Sequence, residues 1–166
     1  MFYREALRRC SALEDEVASA YAALAASPAV ASERAAAWAS AAAGERQKAR
    51  LLHAAAEMSV ALGDDGPFLV QVPLQLASLR KAVDRVRARL DEAPDEPSAI
   101  QLVESLDAAP RSELHSTLLE VAGVEIRRVL RLIESDTKSA KRGRGAVRKA
   151  TSHDRTGKPA ALPVHS

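Results

Sequence analysis

WASAAAGERQKARLL, residues 38–52, decides the reading of this chain. Placed on a helix, Trp38, Ala41, Ala42, Glu45, Lys48, Ala49 and Leu52 fall on one stripe at spacings of three and four. Five of those seven positions are apolar, as a core-facing stripe requires, and a carboxylate and an ammonium take the other two. A single Glu on such a stripe is ordinarily a rim residue that reaches water along its own methylenes. Glu14 and Glu125 interrupt predicted stripes on two other helices in the same way. That recurrence points to a polar centre shared by several helices.

Upstream, residues 2–26 are predicted helix, with Leu7, Cys10, Glu14, Val17, Tyr21 and Leu24 as one seam. Ser27-Pro28 ends it, because the residue before proline is pushed out of the α region. The helix holding the quoted stretch extends from about Val30 to Leu62, with Ser32 as its N-cap. So short a connection makes the two helices antiparallel neighbours. Downstream, Gly63 to Pro67 closes the second helix. Phe68 to Pro73 is mainly apolar, but no second strand is available to pair with it. An extended crossover lying on the bundle is therefore expected, and about ten extended residues span some 33 Å.

A third helix from Leu74 to Asp91 carries an aliphatic seam of Leu76, Leu79, Val83, Val86 and Leu90. Arg80, Lys81, Arg85, Arg87 and Arg89 read as its solvated face. A short helix, 98–108, carries Ile100, Leu102, Val103 and Leu106 and is closed by Pro110. The last helix spans Arg111 to Glu134 along Leu114, Leu118, Val121, Glu125, Arg128 and Leu132. Gly123 lowers its intrinsic stability by about 1 kcal/mol relative to Ala, which suggests close packing there.

Composition agrees with an all-α domain. Ala, Leu, Arg and Glu dominate, aromatics make up 3% of the 166 residues, and the length suits one domain with a core of useful size. No apolar run approaches the roughly 18 residues of a membrane span. Charges at Arg4 and Glu5 come too early for a secretory signal. Cys10 is the only cysteine, which excludes an internal disulfide and thiolate metal clusters and makes a reducing cytoplasm the expected location.

The net charge of +2 conceals two opposed parts: residues 1–137 are near −5, and 138–166 are near +7. The latter segment lacks apolar periodicity and is expected to be a disordered basic tail. Its Lys141, Arg142, Arg144, Arg148 and Lys149 offer weak, non-specific contact with nucleic acid or another anion. No aromatic residue is present there to stack on bases.

Ala42-x-x-Glu45-x-x-Lys48 repeats as Ala122-x-x-Glu125-x-x-Arg128, and Glu14 stands seven residues before Tyr21. Over residues 2–134 the chain resembles the rubrerythrin-type branch of the ferritin-like superfamily. The resemblance implies a four-helix bundle of two antiparallel hairpins joined by a long crossover, here with a short extra helix and the basic tail. It also implies a two-metal centre of iron or manganese, held by a Glu on one helix and Glu-x-x-His on the next in each half. Both histidine positions hold cations instead, Lys48 and Arg128, which have no lone pair to donate. The third-helix Glu has no counterpart either, since Glu104 lies off the apolar face.

Three carboxylates left unpaired in a core would each cost several kcal/mol or become protonated. The expected substitute is a core ion-pair cluster of Glu14, Glu45, Lys48, Glu125 and Arg128, with no metal cofactor. A structural or interaction protein follows, homodimeric or bound to another protein, and the incomplete ligand set argues against ferroxidase activity. The rival is an iron-binding oxidoreductase or storage protein using Glu14, Glu45 and Glu125. A generic helical adaptor with rim charges is a third reading.

His53 and His115 lie about 80° around the helix from Glu45 and Glu125 and read as surface histidines. Cys10 reads as a small buried hydrophobe. Tyr21 reads as a core residue whose hydroxyl is satisfied by a buried carboxylate.

Overall fold

Residues 1–63, 65–109 and 111–133 are described by the computed structural model, and the basic tail and its cationic residues lie outside them. The first two helices are α1, Tyr3–Ala25, and α2, Ser32–Ala61. They form an antiparallel pair: Arg8 meets Glu57 at 3.3 Å, and Ser11 Oγ donates to the Ala49 carbonyl at 2.9 Å. All six seam positions of α1 are fully buried, as the spacing predicts. On α2, Trp38, Ala42, Glu45, Lys48, Ala49 and Leu52 are buried and Ala41 is half-buried. Ser32 is the first helical residue and not the N-cap. Ala31 caps the helix, and its backbone N–H donates to Glu96 Oε1 at 3.0 Å.

The segment after α2 departs from expectation. Gly63 and Gly66 take positive φ, and residues 65–69 turn back against the chain's first residues. Tyr3 N–H donates to Pro67 O at 3.1 Å, Leu69 N–H to Met1 O at 2.7 Å, and Phe2 and Phe68 form an isolated antiparallel bridge. A partner for residues 65–69 thus exists in the N-terminal residues, and the segment stays at one end of the molecule. At Gly66 the approach is so close that a Cβ would lie 2.6 Å from that of Tyr3.

The expected long crossover therefore does not form, and the third helix, α3, Val72–Leu90, close to its expected bounds, starts at that same end with Pro73 in its first turn. It buries Val72, Leu76, Leu79, Val83 and Val86. Arg80 and Arg87, expected on a solvated face, converge on Glu16 of α1 at 2.6 and 2.8 Å. Because α3 begins beside the N-terminus, these contacts make it run parallel to α1.

At the far end α4, Glu96–Asp107, begins with Asp95 as N-cap, its side chain accepting from Ser98 N–H at 3.0 Å. Glu96 pairs with Arg34 near the start of α2. The chain then descends through α4 and α5, Arg111–Val121, antiparallel to α1: Asp107 reaches Tyr21, and further along Arg111 and His115 reach Glu14.

The helix expected to continue from Arg111 to Glu134 breaks at Ala122 and Gly123 and resumes over 124–133. Arg127 Nη2 donates to the carbonyls of Glu120 and Ala122 at 3.2 and 2.9 Å, satisfying groups freed by the break. After it, Ile126, Leu130 and Ile133 face inward in place of the predicted Glu125, Arg128 and Leu132, one or two positions out of register. Among the described residues no helix is long and apolar enough to cross a membrane.

Candidate functional site

Four charged side chains from three helices meet midway along the molecule. Glu14 on α1 is fully buried, and Glu45 and Lys48 on α2 are 1% and 6% exposed. The spacing of three on α2 sets Lys48 Nζ 2.8 Å from Glu45 Oε2, to which it donates. From α5, the guanidinium of Arg111 enters between the two acids. Its Nη1 donates to Glu14 Oε2 at 3.3 Å and lies 3.1 Å from Glu45 Oε1, while Nη2 lies 3.6 Å from Asp107. Tyr21 donates its hydroxyl to Asp107 Oδ1 at 2.6 Å, a carboxylate that is 41% exposed and not the buried one expected.

His115, one turn beyond Arg111, is not a surface residue: its side chain is 12% exposed, and Nε2 lies 3.0 Å from Glu14 Oε1. The two atoms make this close contact without a well-formed hydrogen bond, and both are buried. His53, by contrast, is exposed as expected.

Burial alone would push the Glu14 carboxyl up. The contact with His115 and the charges of Arg111 and Lys48 outweigh it and hold the group at about 2. For Arg111, burial works against the charge, and Glu14 and Glu45 reverse it, so the guanidinium is held more firmly protonated. The Cys10 thiol is pushed up, first by burial and then by Glu14, which leaves it no reactive thiolate in this setting.

Glu125 and Arg128 do not join this cluster. Their side chains are 55% and 74% exposed and meet each other at 3.2 Å on the surface. The break at Gly123 rotates this turn away from the core. The cation that the centre uses in place of Arg128 is Arg111, and the sequence held a signal for it. Arg111, Leu114, His115 and Leu118 share one stripe, and both leucines are fully buried.

The donor set does not fit a centre of two bridged metals. A guanidinium occupies the space that a metal shared by Glu14 and Glu45 requires, and the third carboxylate lies on the surface. No known family model, curated protein or solved structure matches this chain.

Proposed function

We propose that the chain is a ferritin-like bundle in which buried ion pairs stand where a two-metal centre would be, serving as a structural or protein-interaction module. The observation that carries this reading is Arg111, one guanidinium shared by carboxylates of two different helices. It does electrostatically what bridging metal ions do in such bundles: it offsets buried negative charge and ties helices together. The helical content and the buried polar centre support the likeness, while the connectivity departs from it: α1, α2, α3 and the α4–α5 run alternate in direction, with no long crossover between α2 and α3.

An interaction role draws on the end where the chain folds back. There Phe2, Phe68, Val70 and Leu74 are 55–77% exposed, with the two phenyl rings packed edge-on at 5.5 Å. Apolar side chains gathered at one end suit a protein partner, including a second copy.

Iron loading of the full chain, followed by metal analysis, tests the proposal. The expected result is far less than two irons per chain and no ferroxidase activity. Close to two irons per chain would overturn it and restore the oxidoreductase reading.

A further inference from the structure

Cys10, Glu14 and His115 each offer a metal-ligating atom to a common space, and the three atoms lie within 4.8 Å of one another. Cys10 and Glu14 are one turn apart on the same face of α1, and His115 reaches them from α5. This group is on the opposite side of Glu14 from the guanidinium: Oε2 faces Arg111, and Oε1 faces His115. Cys10 and Glu14 are completely buried. Glu14 Oε1 and His115 Nε2 are also buried polar atoms with no well-formed hydrogen bond, although they face each other. Buried polar atoms are satisfied in the great majority of cases, so two that meet at 3.0 Å without a well-formed hydrogen bond call for an explanation.

We propose that the Cys10 thiolate, the Glu14 carboxylate and the His115 imidazole bind one thiophilic divalent cation of the zinc class, with water in a fourth position. Sulfur, nitrogen and oxygen donors in this number suit tetrahedral zinc with one open position. Bonds of about 2.0–2.3 Å bring such ligand atoms to within about 4 Å of each other, so a small side-chain adjustment closes the site. On binding, the Cys10 S–H bond breaks, its proton leaves to solvent, and a metal–sulfur bond forms. The exchange adds one positive charge beside Glu14 and Glu45. Arg111, whose charge opposes a further cation, is shared between both acids. The slight exposure of His115 provides the entry side. The site uses two residues outside the ion-pair reading, and it stands whether or not iron is bound elsewhere.

Titration of the reduced full chain with cobalt(II) tests the assignment. One equivalent is expected to bind with thiolate-to-cobalt charge-transfer absorption in the near ultraviolet, and zinc is expected to displace it. Cys10 is the sole cysteine, so that band reports this site and the histidines at 153 and 165 cannot produce it. Cys10→Ser should lose the band while its circular dichroism keeps the helical signal. Losing even an outer-shell partner weakens metal sites roughly 10–100-fold, so His115→Gln should weaken cobalt binding by at least about tenfold. A folded wild-type chain that shows no such band with cobalt in excess overturns the proposal. So does a band whose affinity is unchanged in His115→Gln. Iron content is read separately, so failure here is distinct from failure of the ion-pair reading.

Discussion

Two turns of this chain have the same design, a Glu followed three residues later by a cation, and the fold treats them in opposite ways. The side chains of Glu45 and Lys48 are 1% and 7% exposed and meet at 2.8 Å, whereas those of Glu125 and Arg128 are 55% and 74% exposed and meet at 3.2 Å. Local sequence cannot account for the difference. Neighbours can: α1 brings Glu14 beside the first turn, and α5 brings Arg111, so its charges are balanced by a network that a lone pair could not supply. The second turn follows a helix break, and Ile126, Leu130 and Ile133 take the inward positions instead.

The largest effect expected from this contrast comes from removing the shared cation. Arg111→Met leaves two buried carboxylates short of their guanidinium and should cost about 3–5 kcal/mol in urea unfolding. The matching change on the exposed turn, Arg128→Met, should stay within about 0.5 kcal/mol. Equal losses at the two positions would mean that the turns are not differently placed.

Much of the contrast's buried half was legible beforehand. The seams of α1 and α2 follow from spacing alone, because both helices are long and uninterrupted and their charged stripe residues recur in phase. The exposed half is not legible, because apolar periodicity by itself runs straight through Gly123. One residue of slip turns a helix face by about 100°, enough to exchange Glu125 for Ile126 at an inward position. The segment expected as a crossover is hidden for a different reason. Its extended stretch pairs with the N-terminal residues, a contact between distant parts of the chain that no local pattern announces. Arg111 is hidden for a third reason: it opens its helix right after a proline, where a cation is ordinarily solvated.

Acid pH separates the two turns next. The Glu14 carboxyl is held at about 2 in the folded state, below its ordinary 4.5, so the unfolded chain takes up the proton more readily. Its contribution to stability is therefore complete above about pH 4.5 and is lost as the pH falls toward 2, on the order of 3 kcal/mol in all. Denaturation midpoints measured across that window should fall in the wild type. The fall should be clearly shallower in Glu14→Gln and unchanged in Glu125→Gln. A wild-type limb no steeper than that of Glu14→Gln would show that the network does not depend on an ionised Glu14.

The smallest effect tests the break that separates the two halves. Gly123 stands at the N-cap of the final helical stretch: its carbonyl accepts from Arg127 N–H at 2.8 Å, its φ is not left-handed, and a Cβ there meets nothing within 4 Å. A Cβ therefore fits, without the close packing that the glycine suggested, and between serine and alanine the choice turns on capping. A serine hydroxyl can accept from the free N–H groups of the next turn, whereas alanine offers nothing to them and favours a continuous helix. Gly123→Ser should therefore be more stable than Gly123→Ala by about 0.5–1 kcal/mol in urea unfolding. If alanine is the more stable, the helix gains by running through the break. Glu125 and Arg128 would then swing toward the bundle by about 100°, and the distinction between the two turns would rest on Gly123 alone.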